Sequence, residues 1–401
     1  MSEWKVDILD NIAIVNPTES LIIGEKAKKI PMEVLQPFTK KIPSFSIMRY
    51  RGGMKFKNGD TLIARITPCL ENGKTAYVDI LNNDEVAFGS TEFIVLREKR
   101  NVSDKHYLYY FAISPEFRDI AILSMTGSSG RQRVQIDVVK NHSFAFPPLL
   151  EQKAIASVLS SLDDKIDLLH RQNKTLEAIA ETLFRQWFVE EVEENWEEKA
   201  LGELCTITSS KRIFYSEYTE SGIPFYRSKE IIELHNTGST RSDLYISQNR
   251  FNGIKENFGA PIAGDILLTS VGTLGIPYRV KKNDTFYFKD GNLTWFKNFN
   301  NIPSIIIYCW LKSSIGKERL EGIKIGSTQS ALTISGLKEI KMVIPPVEKI
   351  KSLKDNLVFI YTKIDANQSQ IRTLKKLRDT LLPKLMSGEV RIEYEDKRGL
   401  D

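Results

Sequence analysis

One long phrase occurs twice in this chain. "FPPLLEQKAIASVLSSLDDKID" starts at Phe146 and "IPPVEKIKSLKDNLVFIYTKID" at Ile344. Each opens with an apolar residue and two prolines, runs into a helical pattern and reaches Lys-Ile-Asp at the same distance, an offset of 198 residues throughout. Three further matches follow the same order. "WKVDILDNI" from Trp4 answers "WEEKALGEL" from Trp196. "NGDTLIARITPCLENGKTAYV" from Asn58 answers "AGDILLTSVGTLGIPYRV" from Ala263. "YYFAIS…TGSSGRQRVQI" (109–136) answers "YCWLKS…IGSTQSALTI" (308–334). Such a chain is two copies of one long unit, each a globular block, a proline pair and a long helix.

The helices carry heptads. In the first, Ile155, Leu162, Leu169, Leu176 and Leu183 fall at d, and Leu159, Ile166, Asn173, Ala180 and Trp187 at a. In the second, Leu353, Ile360, Asn367, Leu374 and Leu381 fall at d, and Leu357, Ile364, Ile371, Arg378 and Leu385 at a. An apolar stripe of period 3.5 is a coiled-coil seam. Each helix covers roughly 38 residues, about 57 Å, and needs a partner; the other helix is the obvious one. An antiparallel register whose residue numbers sum to 540 aligns every layer and sets Asn173 against Asn367. Slipping by a heptad leaves each amide unpaired, at about 1–3 kcal/mol apiece. A buried polar pair of this kind sets register. Arg378 then faces Leu162 and is expected to snorkel toward Asp163 or Asp164, the acids of "LDDKID" otherwise being exposed. Pro383 is expected to kink or stop the second helix near Thr380, unless its missing donor falls at a frayed end. "EVRIEY" (389–394) reads as a short strand packed on the N-terminal segment.

The blocks read as β-rich. "DTLIARI", "TEFIVLR" and "DILLTSV" mix β-branched and apolar residues between Gly, Asn and Asp. "SPEFRDIAILS" (114–124) has Ser at an N-cap and Pro at the first helical position, a short helix. The fold class is therefore α+β: two β-rich domains joined by two long antiparallel helices forming a coiled coil, a pseudo-twofold tandem repeat. A length of 401 residues with 41% apolar and 27% charged side chains suits a globular chain of at least two domains.

Net charge is +5, and "VEEVEENWEEK" (189–199) holds six acids against one lysine, so the remainder is more basic than the total implies. That run reads as a solvated linker; the basic remainder permits a nucleic-acid partner. No run of 18 uncharged apolar residues and no secretory leader is present, so no membrane role is expected. Cys69, Cys205 and Cys309 are scattered and read as small core residues in a reducing cytoplasm. His106, His142, His170 and His235 are dispersed, so no metal is expected. Catalytic motifs are missing too: "VNPTES" (15–20) does not match a methyltransferase motif, and there is no Walker loop.

The tandem order, "PPLLEQKAIASVLSSLDDKIDLL" with "IPPVEKIKSLK…KID", and "ETLFRQWF" matched by "DTLLPKLMSGEV" resemble the DNA-specificity (S) subunits of Type I restriction-modification systems, over essentially the whole length. "GDTLIARITPCLENGK" and "GSTEF" look like that family's target-recognition domains. The resemblance implies a target-recognition domain over 1–146, a conserved spacer helix over 147–189, an acidic linker with a second target-recognition domain over 190–344, and a second spacer helix with a C-terminal tail over 345–401. It implies a non-catalytic subunit that reads an asymmetric, bipartite site in double-stranded DNA. Its partners would be two modification (methyltransferase) subunits and, in systems that cut, restriction subunits. S-adenosylmethionine, and ATP with Mg, would belong to those partners, with no cofactor in this chain. Two other readings stay open on the residues: the recognition subunit of a related two-part modification system outside Type I, and a coiled-coil protein adaptor.

Side chains that reach base edges are chiefly Arg, Lys, Asn, Gln, Ser and Thr. In the first block the candidates are Arg65, Lys74, Glu92, Ser128, Arg131, Gln132 and Arg133, with "TGSSGRQRVQ" the strongest stretch, because glycines let backbone approach phosphate while Arg and Gln point outward. In the second block they are Thr269, Thr273, Asn292, Ser327, Thr328 and Gln329, with Tyr226, Arg227 and Lys229 of "IPFYRSKEI" adding a basic, aromatic patch. Any one of these cations taken alone reads equally as a solvated surface charge, and Glu92 equally as a salt-bridge partner.

Overall fold

Both proline pairs stop a strand. Ser143–Phe146 ends against Pro147 and Lys341–Ile344 against Pro345, since proline offers no N–H to a ladder. The computed structural model describes residues 4–326 and 330–393. Beyond the prolines run two helices, Leu149–Arg185 and Val347–Met386, of 37 and 40 residues, about 56 and 60 Å long. The first continues into a π-helical turn, Gln186–Glu190.

The chain divides into two compact units, 1–168 with 371–401, and 169–370. In the first unit Ile155, Ala156 and Leu159 share a core with Leu382, Leu385 and Met386. In the second, Ala180 and Phe184 share a core with Leu353, Leu357, Ile360 and Ile364. The start of each helix thus lies with the end of the other, and the pairing is antiparallel. No seam position is exposed, and each fully buried Leu or Ile contributes about 1.5–3 kcal/mol. Within the second unit Asn367 Nδ2 donates to Asn173 Oδ1 at 2.9 Å, as the register argument requires.

Arg378 reaches Asp163, one of the two acids expected for it, but in a buried pair rather than at the surface. It does not snorkel to water but is 6% exposed, with Nη1 donating to Asp163 Oδ1 at 2.8 Å and Nη2 to Asp379. Asp163, read from sequence as exposed, is 8% exposed and also accepts the Tyr110 hydroxyl at 2.7 Å. Burial works against the guanidinium charge, but Asp163 and Asp379 outweigh it and hold the Arg378 pKa above the ordinary arginine value.

Each globular block has the same frame. In the first unit Lys5–Ile8 pairs antiparallel with Ser143–Phe146, and a four-stranded sheet runs in the order Ala13–Val15, Phe93–Glu98, Thr61–Ala64, Thr75–Tyr77. In the second, Glu197–Ala200 pairs with Lys341–Ile344, and the corresponding order is Thr206–Thr208, Leu293–Lys297, Ile266–Thr269, Pro277–Arg279. A helix pair follows in both: Lys105–Ile113 and Pro115–Leu123, then Ser304–Lys312 and Ser314–Gly322. The expected cap is present, with Ser114 accepting the Phe117 N–H, a contact worth about 1 kcal/mol.

The second four-stranded sheet is where the blocks diverge. The first orders Ser46–Arg49, Lys26–Ile30, Ala87–Gly89 and Lys55–Phe56; the other orders Tyr218–Thr219, Tyr245–Ile246, Ile223–Tyr226 and Tyr287–Phe288 and adds the helices Ser228–Thr237 and Gln248–Phe258.

Three further expectations are corrected. The acidic run is not solvated throughout: Trp196 is 8% exposed, Glu197–Ala200 is a strand, and Lys349 reaches Glu193 at 3.2 Å and Glu191 at 3.8 Å. The second helix does not stop near Thr380 but passes through Pro383 to Met386, where Ser387 N–H bonds the Pro383 carbonyl; the proline sits in the last turn, and its missing donor removes only the one ladder bond to the Asp379 carbonyl. Residues 389–393 form no strand, and Tyr394 lies outside the described residues. The tail does meet the N-terminal segment. Arg391 Nη2 bonds Glu151 Oε2 at 2.6 Å, and the Arg391 guanidinium sits 5.4 Å from the Trp4 ring centroid. Gly388, at φ +75°, brings the backbone against the Trp4 indole, where a Cβ would stand 3.4 Å from the ring.

Candidate nucleic-acid interface

In the first unit the strand Thr61–Ala64 runs on into Arg65, Ile66 and Thr67, and the loop Thr126–Arg133 is laced to that continuation. Thr126 and Arg133 exchange backbone hydrogen bonds, Thr67 N–H bonds the Gln132 carbonyl, and Val134 N–H bonds the Arg65 carbonyl. Gly127 and Gly130, at φ +130° and +78°, make the reversal that other residues resist. Ser128 and Arg131 are exposed at its tip and Gln132 is half-buried.

The structure therefore gathers Arg65, Glu92 and Arg131–Arg133 at one junction. Arg65 N–H bonds the Glu92 carbonyl, and Arg65 Nε donates to the Val134 carbonyl at 3.3 Å. Arg133 forks onto Glu92, Nε and Nη2 both at 2.8–3.0 Å, and that carboxylate raises the Arg133 pKa. Glu92 is thus a salt-bridge partner that orients Arg133. Lys74 is a correction: its ammonium donates to the Met32 carbonyl at 3.0 Å, so the side chain is spent on backbone.

The second unit builds the corresponding junction. Val271 bridges Ala331, Leu332 N–H bonds the Ser270 carbonyl, and Ser270 N–H bonds the Asn292 carbonyl. Thr273 is exposed in the turn Val271–Gly275. Thr269 is a correction: it is 0% exposed and its hydroxyl accepts the Ile276 N–H at 2.9 Å. Every residue of Ile266–Thr269 is buried, so no face of that strand meets solvent. Ser327, Thr328 and Gln329 lie outside the described residues.

The "FYRSK" patch is mixed. Tyr226 is a packed ring, stacked on Phe286 at 4.6 Å, and burial pushes its phenol up to about 12. Arg227 forks onto the buried Glu230, which raises its pKa. Lys229 is exposed, 3.8 Å from Asp243. Asn292 is half-buried, with its carbonyl also taking the Ser228 hydroxyl at 3.3 Å.

Two exposed groups near these junctions were not among the sequence candidates. Arg49 and Arg51 are exposed beside the ribbon formed by Lys26–Ile30 and Ser46–Arg49, in the sheet whose Ala87–Gly89 strand leads to Glu92. Phe214 and Tyr215 are 61% and 89% exposed; their segment runs along the Asn292 junction, where Ser210 bonds the Phe288 carbonyl and Arg212 bonds Asp290. The signals were "RYRGGMKFK" and "KRIFY", cations interleaved with aromatics, the pattern of backbone neutralisation with base stacking. Among the described residues no group of side chains could hold a metal ion, and no helix is long and apolar enough to cross a membrane.

The chain matches the Type I restriction modification DNA specificity domain family twice, over 1–178 and 193–378. It is 27% identical to the Type I restriction enzyme MjaIX specificity subunit of Methanocaldococcus jannaschii over 312 residues, covering 72% of this chain and 69% of that protein. It is 24% identical to the HindI specificity subunit of Haemophilus influenzae, covering 83% and 87%. It is 33% identical to the Escherichia coli EcoAI specificity subunit over 206 residues, 48% of this chain but only 35% of that protein. The crystal structure of a Type I restriction-modification S subunit from M. genitalium shares the fold at a TM-score of 0.60 and 18% identity, covering 98% of this chain and 97% of that one. With a tandem family match across most of its length and the paired recognition blocks it predicts, the chain belongs to the DNA-specificity subunits of Type I restriction-modification systems, which select DNA and do not carry the enzyme's chemistry.

Proposed function

We propose that this specificity subunit reads a two-part, non-palindromic site in double-stranded DNA, one part per block. The observation that carries this is the unlike chemistry of two like junctions. The first junction presents Arg65, Arg131, Gln132 and a Glu92-oriented Arg133; the second presents Thr273 and Asn292 with Phe214 and Tyr215 alongside. Arginine forks favour guanine edges, whereas amides favour adenine and hydroxyls take either. Two readers of one frame and different side chains therefore select different sequences.

The helix pair is the docking surface in this reading, for two modification subunits and, in systems that cut, restriction subunits. S-adenosylmethionine, and ATP with Mg, belong to those partners, and the complex works in the cytoplasm. Support comes from the polar faces the helices leave outside their seam.

Genome-wide mapping of methylated adenine, in cells with and without this chain, tests the reading. The expected result is one split, asymmetric motif that disappears with the chain. A palindromic or continuous motif, or methylation indifferent to the chain, overturns it.

A further inference from the structure

A chain built from two copies of one unit faces a pairing problem. The first helix could pair with the second, or with the first helix of another molecule. We infer that the helix pair carries a polar code that makes the first repeat accept the second and refuse a copy of itself.

The code is written in two clasps of opposite sign. In the first unit Glu151, near the start of the first helix and 0% exposed, binds Arg391 of the C-terminal tail, which lies over Trp4. In the second unit Lys349, 198 positions later, binds Glu193, 198 positions before Arg391, and lies 4.9 Å from the Trp196 ring centroid. The geometry repeats down to the tryptophan, but the charges are exchanged. Stability alone gives no reason for the exchange, since the same pair in the same sense would serve both places. Exchange matters only for which repeat meets which.

Shifting each partner by the 198-residue repeat gives the self-paired arrangement. Glu151 would face Glu193 of another copy, and Lys349 would face Arg391 of another copy. Two layers inside the helix pair act the same way. Asp163 would meet Ala180 in the place of Arg378, and Arg378 would meet Tyr361 in the place of Asp163, each a buried charge without its counter-ion. Asn173 would meet Leu169 and Asn367 would meet Ile371, so the amide pair also exists only across unlike repeats. Four polar contacts are all satisfied in one pairing and all broken in the other, which is how coiled coils reject wrong partners. The inference does not depend on which DNA is read.

The test uses the full chain. E193R/R391E turns both clasps repulsive in the native pairing and attractive in self-pairing. Adding E151K/K349E restores opposite charges to the native pairing. Sedimentation velocity at fixed chain concentration should show the two-chain species of E193R/R391E rising about tenfold over the parent and returning to the parental level in the four-site variant. A folded E193R/R391E chain with parental mass distribution overturns the code, as does a rise that the four-site variant leaves in place. Should E193R/R391E fail to fold by circular dichroism, the four-site variant decides: folded with parental mass supports the code, unfolded overturns it.

Discussion

Asn367 gives one amide hydrogen to the side-chain carbonyl of Asn173 across 2.9 Å, in a seam where both residues are at most 9% exposed. Such a pair contributes little net stability, but each partner is costly to leave alone. N367L should therefore destabilise the chain by about 1–3 kcal/mol, because the Asn173 amide stays buried without its donor. N173L/N367L should melt above the parent and hold its register less uniquely. Thermal melts of the single and double variants, with cysteine crosslinking across the seam to read register, check this. A sharp fall in stability of the double variant with unchanged crosslinks would contradict it.

Arg378 and Asp163 pose the stronger case, since both side chains are 8% exposed. R378M leaves the Asp163 carboxylate buried with the Tyr110 hydroxyl, and should cost about 3–5 kcal/mol. R378M/D163L replaces both charges with apolar bulk and should regain most of that loss. Denaturant unfolding of both singles and the double forms the cycle; additive losses would mean the pair is not coupled.

The long-range arrangement was legible because it is written locally. A seam of period 3.5 shows which face is buried, and one asparagine per helix fixes where the helices meet. The proline pairs and the Ser114 cap are equally local, and both stand where the sequence placed them. The recognition surface was less legible because exposure there is decided by tertiary packing. Thr269 has the polar side chain of a residue that faces out at a strand end, but Ile266–Thr269 is covered on both faces. Lys74 looks like a surface cation until Met32, 42 residues away, claims its ammonium. Phe214 and Tyr215 have the composition of core residues and lie exposed. The tail was read as a strand from alternation alone, whereas Arg391 and Glu151 hold it by charge.

Acid should act partly through Glu19. Burial pushes its pKa up, but hydrogen bonds from Arg97 and Lys57 outweigh burial and hold it below the ordinary value of 4.5. A carboxylate with a lowered folded pKa stabilises the fold above the unfolded value, and that contribution fades as pH falls below about 4.5. R97Q removes the main donor, since Arg97 also forks onto the buried Asp60 at 2.7 Å. The variant should be less stable at pH 7 and lose less of its remaining stability between pH 5 and pH 3 than the parent does. Denaturation midpoints across that range measure it; equal slopes in the two proteins would count against the Glu19 assignment.

Arg131 offers the most direct test of the first junction. It stands exposed on the glycine-flanked loop tip, while Arg133 beside it is committed to Glu92. A cation so placed meets phosphate before it meets a base edge, and each phosphate it neutralises releases condensed counterions. R131A should therefore weaken binding to all duplexes alike and lower the slope of log K against log salt by about 1. Thr269→Ser retains the hydroxyl that the Ile276 N–H needs and, being buried, should leave both quantities at parental values. Titrations at three or four salt concentrations separate the outcomes. If R131A keeps parental affinity and slope, the loop tip does not touch the backbone of DNA. If affinity falls for one sequence only, the guanidinium reads a base edge, and Arg131 moves from positioning the duplex to specifying it.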